Sequence, residues 1–186
     1  MKTLIFNGSP RKNGDTDALI SELVSHLSGE VIILSCYDDI QPCNDCRHCW
    51  ENIGCAMDDA MQDVYRFLES CDTIVLASPI WFSSLSGPLL NLTSRIQCIW
   101  AANFFQKKRI LTKEKNGVLI LVGAEPETVG MPEKIALGIM KHMNVHHQRI
   151  ARIYSLDTNT VPAGKDEAAL HQCREVVRNL NQRRTT

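Results

Sequence analysis

The chain is short of several things that would decide its class quickly. It has no excess of either charge: 20 Lys and Arg stand against 21 Asp and Glu, a formal charge of −1. No basic stripe is present, which argues against nucleic acid or an anionic membrane surface as a partner. The longest apolar runs, such as Val118 to Val122, fall far short of the ~20 residues that a spanning helix requires. The opening residues carry neither a signal-length apolar stretch nor a small-residue cleavage site, so a cytoplasmic location is expected. Neither G-x-x-x-x-G-K-[ST] nor G-x-G-x-x-G occurs, which disfavours a nucleoside triphosphatase and a dinucleotide-first fold. No repeat and no low-complexity linker divides the 186 residues, and that length suits one domain, 1–186. What is abundant is cysteine. In a cytoplasmic chain, eight of them point to thiol, metal or redox chemistry rather than to disulfides.

Short apolar runs alternate with longer amphipathic stretches. Residues 2–6, 31–34, 73–77, 118–122 and 146–154 read as strands. Between them lie helical stripes: Leu19, Ile20, Leu23, Val24 and Leu27; Met61, Val64 and Leu68; Leu89, Leu92, Ile96 and Ile99 on one helix over 86–103. Two more carry Ile135 and Ile139, then Leu170, Cys173, Val177 and Leu180. Asn116-Gly117 reads as a turn. Residues 36–57 break the pattern as a polar, cysteine-rich insertion loop. Continuous apolar strands covered by crossover helices predict an α/β, doubly wound, five-stranded parallel sheet of order 2-1-3-4-5 with helices on both faces. Ligands in such sheets bind beyond the carboxyl ends of the strands, so the loops after strands 1, 3 and 4 carry the functional expectation.

The first of these loops is Asn7-Gly8-Ser9-Pro10-Arg11-Lys12-Asn13-Gly14-Asp15-Thr16. Ser9 and Thr16 offer hydroxyls, and Arg11 offers a fork of donors. Gly8 and Gly14 permit close backbone approach, and the following helix adds unpaired N–H groups and a positive dipole end. The set suits a phosphate monoester; a plain turn with a helix cap at Asp15 or Thr16 explains less of it. The second loop is Ser78-Pro79-Ile80-Trp81-Phe82-Ser83, apolar cover with free backbone groups. The third, Gly123-Ala124, is short, and an ordinary turn explains it almost as well.

With these segments in place the sequence resembles the flavodoxin-like NAD(P)H-dependent FMN reductases, from residue 1 to about residue 100 and more loosely to about 125. The first loop is similar to that family's FMN-phosphate loop. Ala77-Ser78-Pro79-Ile80-Trp81-Phe82-Ser83-Ser84-Leu85-Ser86 resembles its S-P-[IV]-[YW]-F-G-S-x-S ring segment. The resemblance implies FMN held by Ser9, Arg11, Asn13, Gly14 and Thr16 at the phosphate. At the ring it implies Ser78, Pro79, Ile80, Trp81, Phe82, Ser83, Gly123 and Ala124. It also implies NAD(P)H as electron donor. Two departures stand out. Ser83 replaces the usual Gly, and the usual S-x-x-L-K-x-F-x-D-R run has lost its Lys, Phe and Asp while keeping Arg95.

Cys43-Asn44-Asp45-Cys46-Arg47-His48-Cys49, followed by Cys55, gives C-x2-C-x2-C and a fourth thiol. So compact a set suits a [4Fe–4S] cluster. Zinc usually takes two separated knuckles, His48 could compete as a ligand, and free thiols are the remaining reading. The pattern resembles the iron–sulfur flavoproteins of the same superfamily. Cys98 and Cys173 fall on apolar helix faces and read as core. His146-His147, Arg149, Arg152 and the terminal Arg183-Arg184 read as solvated.

Taken together, the residues and the resemblance predict an FMN-dependent oxidoreductase. It would take electrons from NAD(P)H and pass them to a quinone, a flavin or another small acceptor, with [4Fe–4S] as a possible relay. A flavin- or iron–sulfur electron carrier docking on a redox protein is the alternative, and a flavin- or metal-sensing module is a third reading. Neither of these turns over. The family resemblance implies a homodimer or homotetramer, with Trp50, Trp81 and Trp100 as candidate subunit contacts.

Overall fold

The structure, a computed structural model, describes residues 1–182; Arg183-Arg184 lie outside the described residues. Five parallel strands form the sheet: β1 (Lys2–Asn7), β2 (Glu30–Ser35), β3 (Thr73–Trp81), β5 (Lys115–Val122) and β6 (Val145–Ser155). Their spatial order is β2-β1-β3-β5-β6, and a two-residue strand β4 (Ser84–Leu85) pairs antiparallel with the end of β3. Setting that hairpin arm aside, this is the expected 2-1-3-4-5 order and the fold is flavodoxin-like.

Side-chain alternation along the strands sorts the core into two layers. Leu4, Phe6, Ile74, Leu76, Leu119 and Leu121 face α3 (Met61–Ser70), α4 (Gly87–Ser94), α5 (Gln97–Phe104) and α6 (Gly130–His142). Ile5, Val75, Ala77, Val118, Ile120 and Val122 face α1 (Asp15–His26) and α7 (Glu167–Gln182). Cys98 and Cys173 are buried in these layers as expected. Burial pushes their thiols up to about 11 and about 12. The edge strand β6 leaves His146, His147, Gln148 and Arg149 exposed, and charge on an edge discourages further strand pairing.

Three local expectations are corrected. The strand after residue 73 does not stop at Ala77; it continues to Trp81 and turns into β4. Asn116-Gly117 is not a turn but lies inside β5, at a register shift where Val145, Ile150 and Met140 crowd Gly117. The single helix over 86–103 is two, α4 and α5, separated at Arg95-Ile96. The hydroxyls of Thr93 and Ser94 donate back to the carbonyls of Leu89 and Asn91, a competition that bends helices. On α6, Ile135 and Ile139 pack half-buried against the core as expected, beside the fully buried Ala136 and Met140. A flexible Met fits over Gly117 where a β-branched side chain at that position would not.

Arg152 is also not simply solvated. Its Nε donates to Glu133 Oε1 at 2.6 Å, and the Tyr154 hydroxyl donates to Glu133 Oε2 at 3.0 Å, tying β6 to α6. Burial alone would raise the Glu133 pKa, but these donors outweigh it and hold the carboxyl below its usual range. A carboxylate lowered in the folded state contributes stability above its unfolded pKa, and that contribution disappears as pH falls through the folded value. Glu133→Gln is therefore expected to cost about 1 kcal/mol at pH 7. The difference from the parent protein should shrink as pH falls below the ordinary glutamate value of about 4.3, as read from paired thermal melts. A difference that stays constant from pH 7 to pH 3 contradicts this account.

Among the described residues no helix is long and apolar enough to cross a membrane.

Candidate functional site

The β1–α1 loop leaves the sheet at Gly8, whose N–H donates to Ala77 O on neighbouring β3. Gly8 is pressed against α4. A Cβ built on it would lie 2.3 Å from Leu89 Cβ and 2.9 Å from Ser86 Oγ. It thus serves the packing of the loop on α4. Ser86 caps α4, accepting from Leu89 N–H, and its hydroxyl donates to Gly8 O at 2.6 Å. Ser78 is fully buried; its hydroxyl accepts from Ser86 N–H at 2.9 Å and donates to Pro79 O. The first and second loops are therefore one hydrogen-bonded unit.

Beyond Gly8 the loop doubles back. Ser9 is buried, and its Oγ exchanges hydrogen bonds with the backbone of Arg11. Asn13 is left-handed (φ 58°) and exposed. Gly14 is the N-cap of α1 and supplies no side-chain cap, which sets aside the plain-cap alternative at Asp15 or Thr16. Backbone N–H groups of the first turn are thereby left for an anion. Two acidic residues sit in that turn, but both are engaged. Asp17 accepts from Asn7 Nδ2 and Asn13 N–H, and Asp15 accepts from Arg11 and from Ala163 N–H. A side chain at Gly14 would strike Arg11 Nε at 2.6 Å, so the glycine keeps room for the guanidinium. Thr16 is buried on the inner face of α1.

The end of β3 forms a second wall. Gly123 lies against Ile80, where an added Cβ would sit 3.3 Å from Ile80 Cδ1. Gly123 is fixed by its own N–H to Ser155 O and by Thr158, which donates to Gly123 O from both its N–H and its hydroxyl; Ala124 follows, half-buried. The hairpin tip protrudes: Trp81 is 42% exposed, and Phe82 is wholly exposed. Phe82 (φ 50°) and Ser83 (φ 55°) are both left-handed, the geometry of a tight two-residue hairpin turn. Side chains other than Gly, Asn and Asp adopt it at a cost. Ser83→Gly is expected to stabilise the protein by about 1 kcal/mol and raise Tm by about 2–4 °C. A calorimetric scan showing no rise, or a fall, would rule out this turn geometry.

The cysteine segment sits on the outer side of α4 and α5. Asp45 (φ 54°) and Arg47 (φ 62°) turn the chain on either side of Cys46. A short helix α2 (His48–Glu51) follows, and Trp50 stacks on Phe105 at 4.5 Å. Cys43, Cys46, Cys49 and Cys55 line one pocket with His48, Arg95 and Cys98, around about 400 Å³ of free space including its open mouth. All four are free thiols. Burial pushes the Cys49 thiol up, and negative charge on Cys43, Cys46 and Cys55 pushes it further. Among the described residues, no three of His, Cys, Asp or Glu are close enough to hold a single metal ion.

Residues that pattern reading missed hold this segment in place. Ser94 Oγ accepts from Cys43 N–H at 2.9 Å. The Gln106 side chain donates to Cys49 O and Asn52 O, and Gln62 donates to Cys55 O and Met57 O. Arg95, buried, donates to Cys55 Sγ. The only sequence signal among them was the retained Arg95. Lone glutamines and serines carry none.

The profile of the family described as NADPH-dependent FMN reductase matches residues 1–151. A Bacillus subtilis protein named as an NAD(P)H-dependent FMN-containing oxidoreductase is 30% identical over 133 residues, 71% of this chain and 72% of that one. An iron–sulfur flavoprotein of Methanosarcina thermophila is 25% identical over 151 residues, covering 78% of this chain and 74% of its own. Among solved structures, an NAD(P)H:quinone oxidoreductase from Methanothermobacter marburgensis superposes with a TM-score of 0.76 at 13% identity, covering 97% of each chain. At that identity the superposition speaks for the fold. The profile match spans β1 through most of β6, and with it the β1–α1 loop, the β3–β4 hairpin and the cysteine segment. The chain belongs to the NADPH-dependent FMN reductase family and is an oxidoreductase.

Proposed function

We propose that the β1–α1 loop and the β3–β4 hairpin form the FMN site, and that the cysteine pocket holds a [4Fe–4S] cluster beside it. The observation that carries the flavin assignment is the hydrogen-bonded unit of Gly8, Ser78 and Ser86. It joins an uncapped helix N-terminus to an apolar crest, the two features that a phosphate and a flat ring require.

Ser9, Arg11, Asn13, Gly14 and Thr16 would hold the phosphate. Arg11 now rests on Asp15, and the same fork can turn to a dianion a few ångströms away. Ser78 acts through the backbone it fixes. Pro79, Ile80, Trp81, Phe82 and Ser83 would border the ring, with Gly123 and Ala124 beneath Ile80. Backbone N–H groups of this crest would favour negative charge on the ring's pyrimidine edge. Bound FMN supplies hydride and single-electron chemistry. The residues exclude water from the ring and orient it. NAD(P)H would be the donor, and a quinone, free flavin or other small molecule the acceptor.

For the cluster, the donor set supports the reading: four free thiols on one pocket wall, held by Ser94, Gln62, Gln106 and Arg95. Cys43, Cys46, Cys49 and Cys55 would ligate the cluster, and it would supply one-electron transfer. The exposed Trp81 and Phe82 suit cover by a second subunit in a homodimer or homotetramer.

Anaerobically purified protein should contain one FMN and four iron with acid-labile sulfide per chain. It should oxidise NAD(P)H rapidly with quinone or FMN as acceptor. FMN without turnover would assign a carrier for a redox protein partner instead. Absence of flavin from protein soaked in FMN would overturn the site.

A further inference from the structure

Between α4 and α5 a cation is buried where a hydrophobic side chain would pack. Arg95 is 1% exposed. Its Nη1 donates to Asp59 Oδ2 at 2.6 Å and to Gln41 O at 2.9 Å. Its Nη2 donates to Asp59 Oδ1 at 3.1 Å and to Cys55 Sγ at 3.5 Å. Its Nε is buried with no hydrogen-bond partner. A buried ion pair adds little stability over a well-packed apolar replacement. The charge at this position therefore calls for a role other than packing, and one of its donors, Nη2, reaches Cys55 in the cysteine pocket that Arg95 itself lines.

The same turn also holds the rest of the loop. Neighbouring Ser94 accepts from Cys43 N–H, and the Tyr65 hydroxyl fixes the Arg95 carbonyl at 2.9 Å. One turn thus grips the first and the last cysteine of the set. Of the partners of the guanidinium, Asp59 is anionic and offsets its charge, sharing Nη2 with Cys55; Gln41 contributes only a carbonyl.

We propose that Arg95 is the positioning and charge-tuning residue of Cys55, raising the reduction potential of the iron–sulfur group by its hydrogen bond to the ligand sulfur. The inference rests on the iron–sulfur reading above. Reduction adds one electron to the group, and part of that charge falls on the ligand sulfurs. A donor and a buried cation at one sulfur stabilise the reduced form more than the oxidised form, so the potential rises. Asp59 moderates the effect. Removing Arg95 and removing the Asp59 charge must therefore move the potential in opposite directions.

The test uses anaerobic full-length protein: the parent, Arg95→Gln, Arg95→Lys and Asp59→Asn. Iron and acid-labile sulfide are assayed, and the midpoint potential is read by dithionite titration followed by electron paramagnetic resonance. Arg95→Gln should lower the reduction equilibrium constant about tenfold, about 59 mV for one electron. Asp59→Asn should raise the potential, and Arg95→Lys, which keeps the charge and loses the fork, should fall between Arg95→Gln and the parent. Unchanged potentials in iron-loaded variants, or shifts of one sign in both Arg95→Gln and Asp59→Asn, would overturn the tuning role. So would loss of iron from all three variants, since that marks a purely structural residue. A parent protein without iron would instead remove the iron–sulfur reading, and the inference with it. That failure shows in the metal assay before any potential is measured.

Discussion

Replacing Ser9 and Arg11 together by alanine is expected to weaken FMN binding about 100-fold. Ser9 is buried, so a hydroxyl turned to a phosphate there would act away from bulk water; a charge-assisted bond of that kind is worth about 1.5–2 kcal/mol. Arg11 has a side chain 70% exposed, and solvent screening holds its share to about 1 kcal/mol. Together these come to about 2.7 kcal/mol, and each 1.4 kcal/mol is a factor of ten. Riboflavin, which has the ring but no phosphate, supplies the internal control: its affinity should be the same in parent and double variant. Fluorescence quenching of each ligand reads both constants. A change in FMN affinity below threefold, or an equal loss for riboflavin, would show that the phosphate is not held by this loop. The hydroxyl and the guanidinium are not needed to hold the loop to the sheet, a task done by Gly8 N–H and by Ser86, so the apo protein should melt close to the parent.

The layered sheet was legible because its signals are local and repetitive. Alternation along 2–6, 73–77 and 118–122 assigns each side chain to one of two cores, and the stripes of α1, α3 and α7 point inward as read. Signals that depend on a distant partner were not legible. Asn116-Gly117 looks like a turn in isolation, yet Gly117 is there because Met140, Val145 and Ile150 converge on it. The break at Arg95 has no Pro or Gly to announce it. It follows from two side-chain hydroxyls returning to the helix carbonyls and from a guanidinium drawn to Asp59, 36 residues away. In the site, the loop sequence supplied the residues proposed for the phosphate. It carried no sign that Gly8 and Ser78 also serve the joint between loop and helix. A glycine's neighbour across space leaves no trace in its own sequence window.

That joint gives the second large effect. Gly8→Ala places a methyl 2.3 Å from Leu89 Cβ and 3.1 Å from Leu89 Cα, so the collision is with the helix stem rather than with a movable side-chain tip. Relief requires α4 to move off β1, which stretches the bond from Ser86 to Gly8 O and, through Ser86, the one to Ser78. Overpacking of this kind costs about 1–3 kcal/mol, and loosening the buried hydrogen bonds adds about 1 kcal/mol. At about 3 kcal/mol in all, Tm should fall by about 6–12 °C. Gly87→Ala, one residue beyond Ser86 on the same helix, meets nothing within 4 Å and should leave Tm within about 2 °C of the parent. The contrast isolates close approach from the general effect of adding a methyl. The displacement also travels. Helix α4 begins against the β1–α1 loop, through Ser86, and ends at Ser94, which accepts from Cys43 N–H, so Gly8→Ala should disturb the cysteine pocket as well as the loop. Alkylation of the exposed Cys43 and Cys46 thiols by iodoacetamide, followed by peptide mass spectrometry, reads the far end. Equal melting of the two alanine variants would mean that loop and helix are not in contact. A lowered Tm with an unchanged alkylation rate would mean that α4 yields locally instead of moving as a rod.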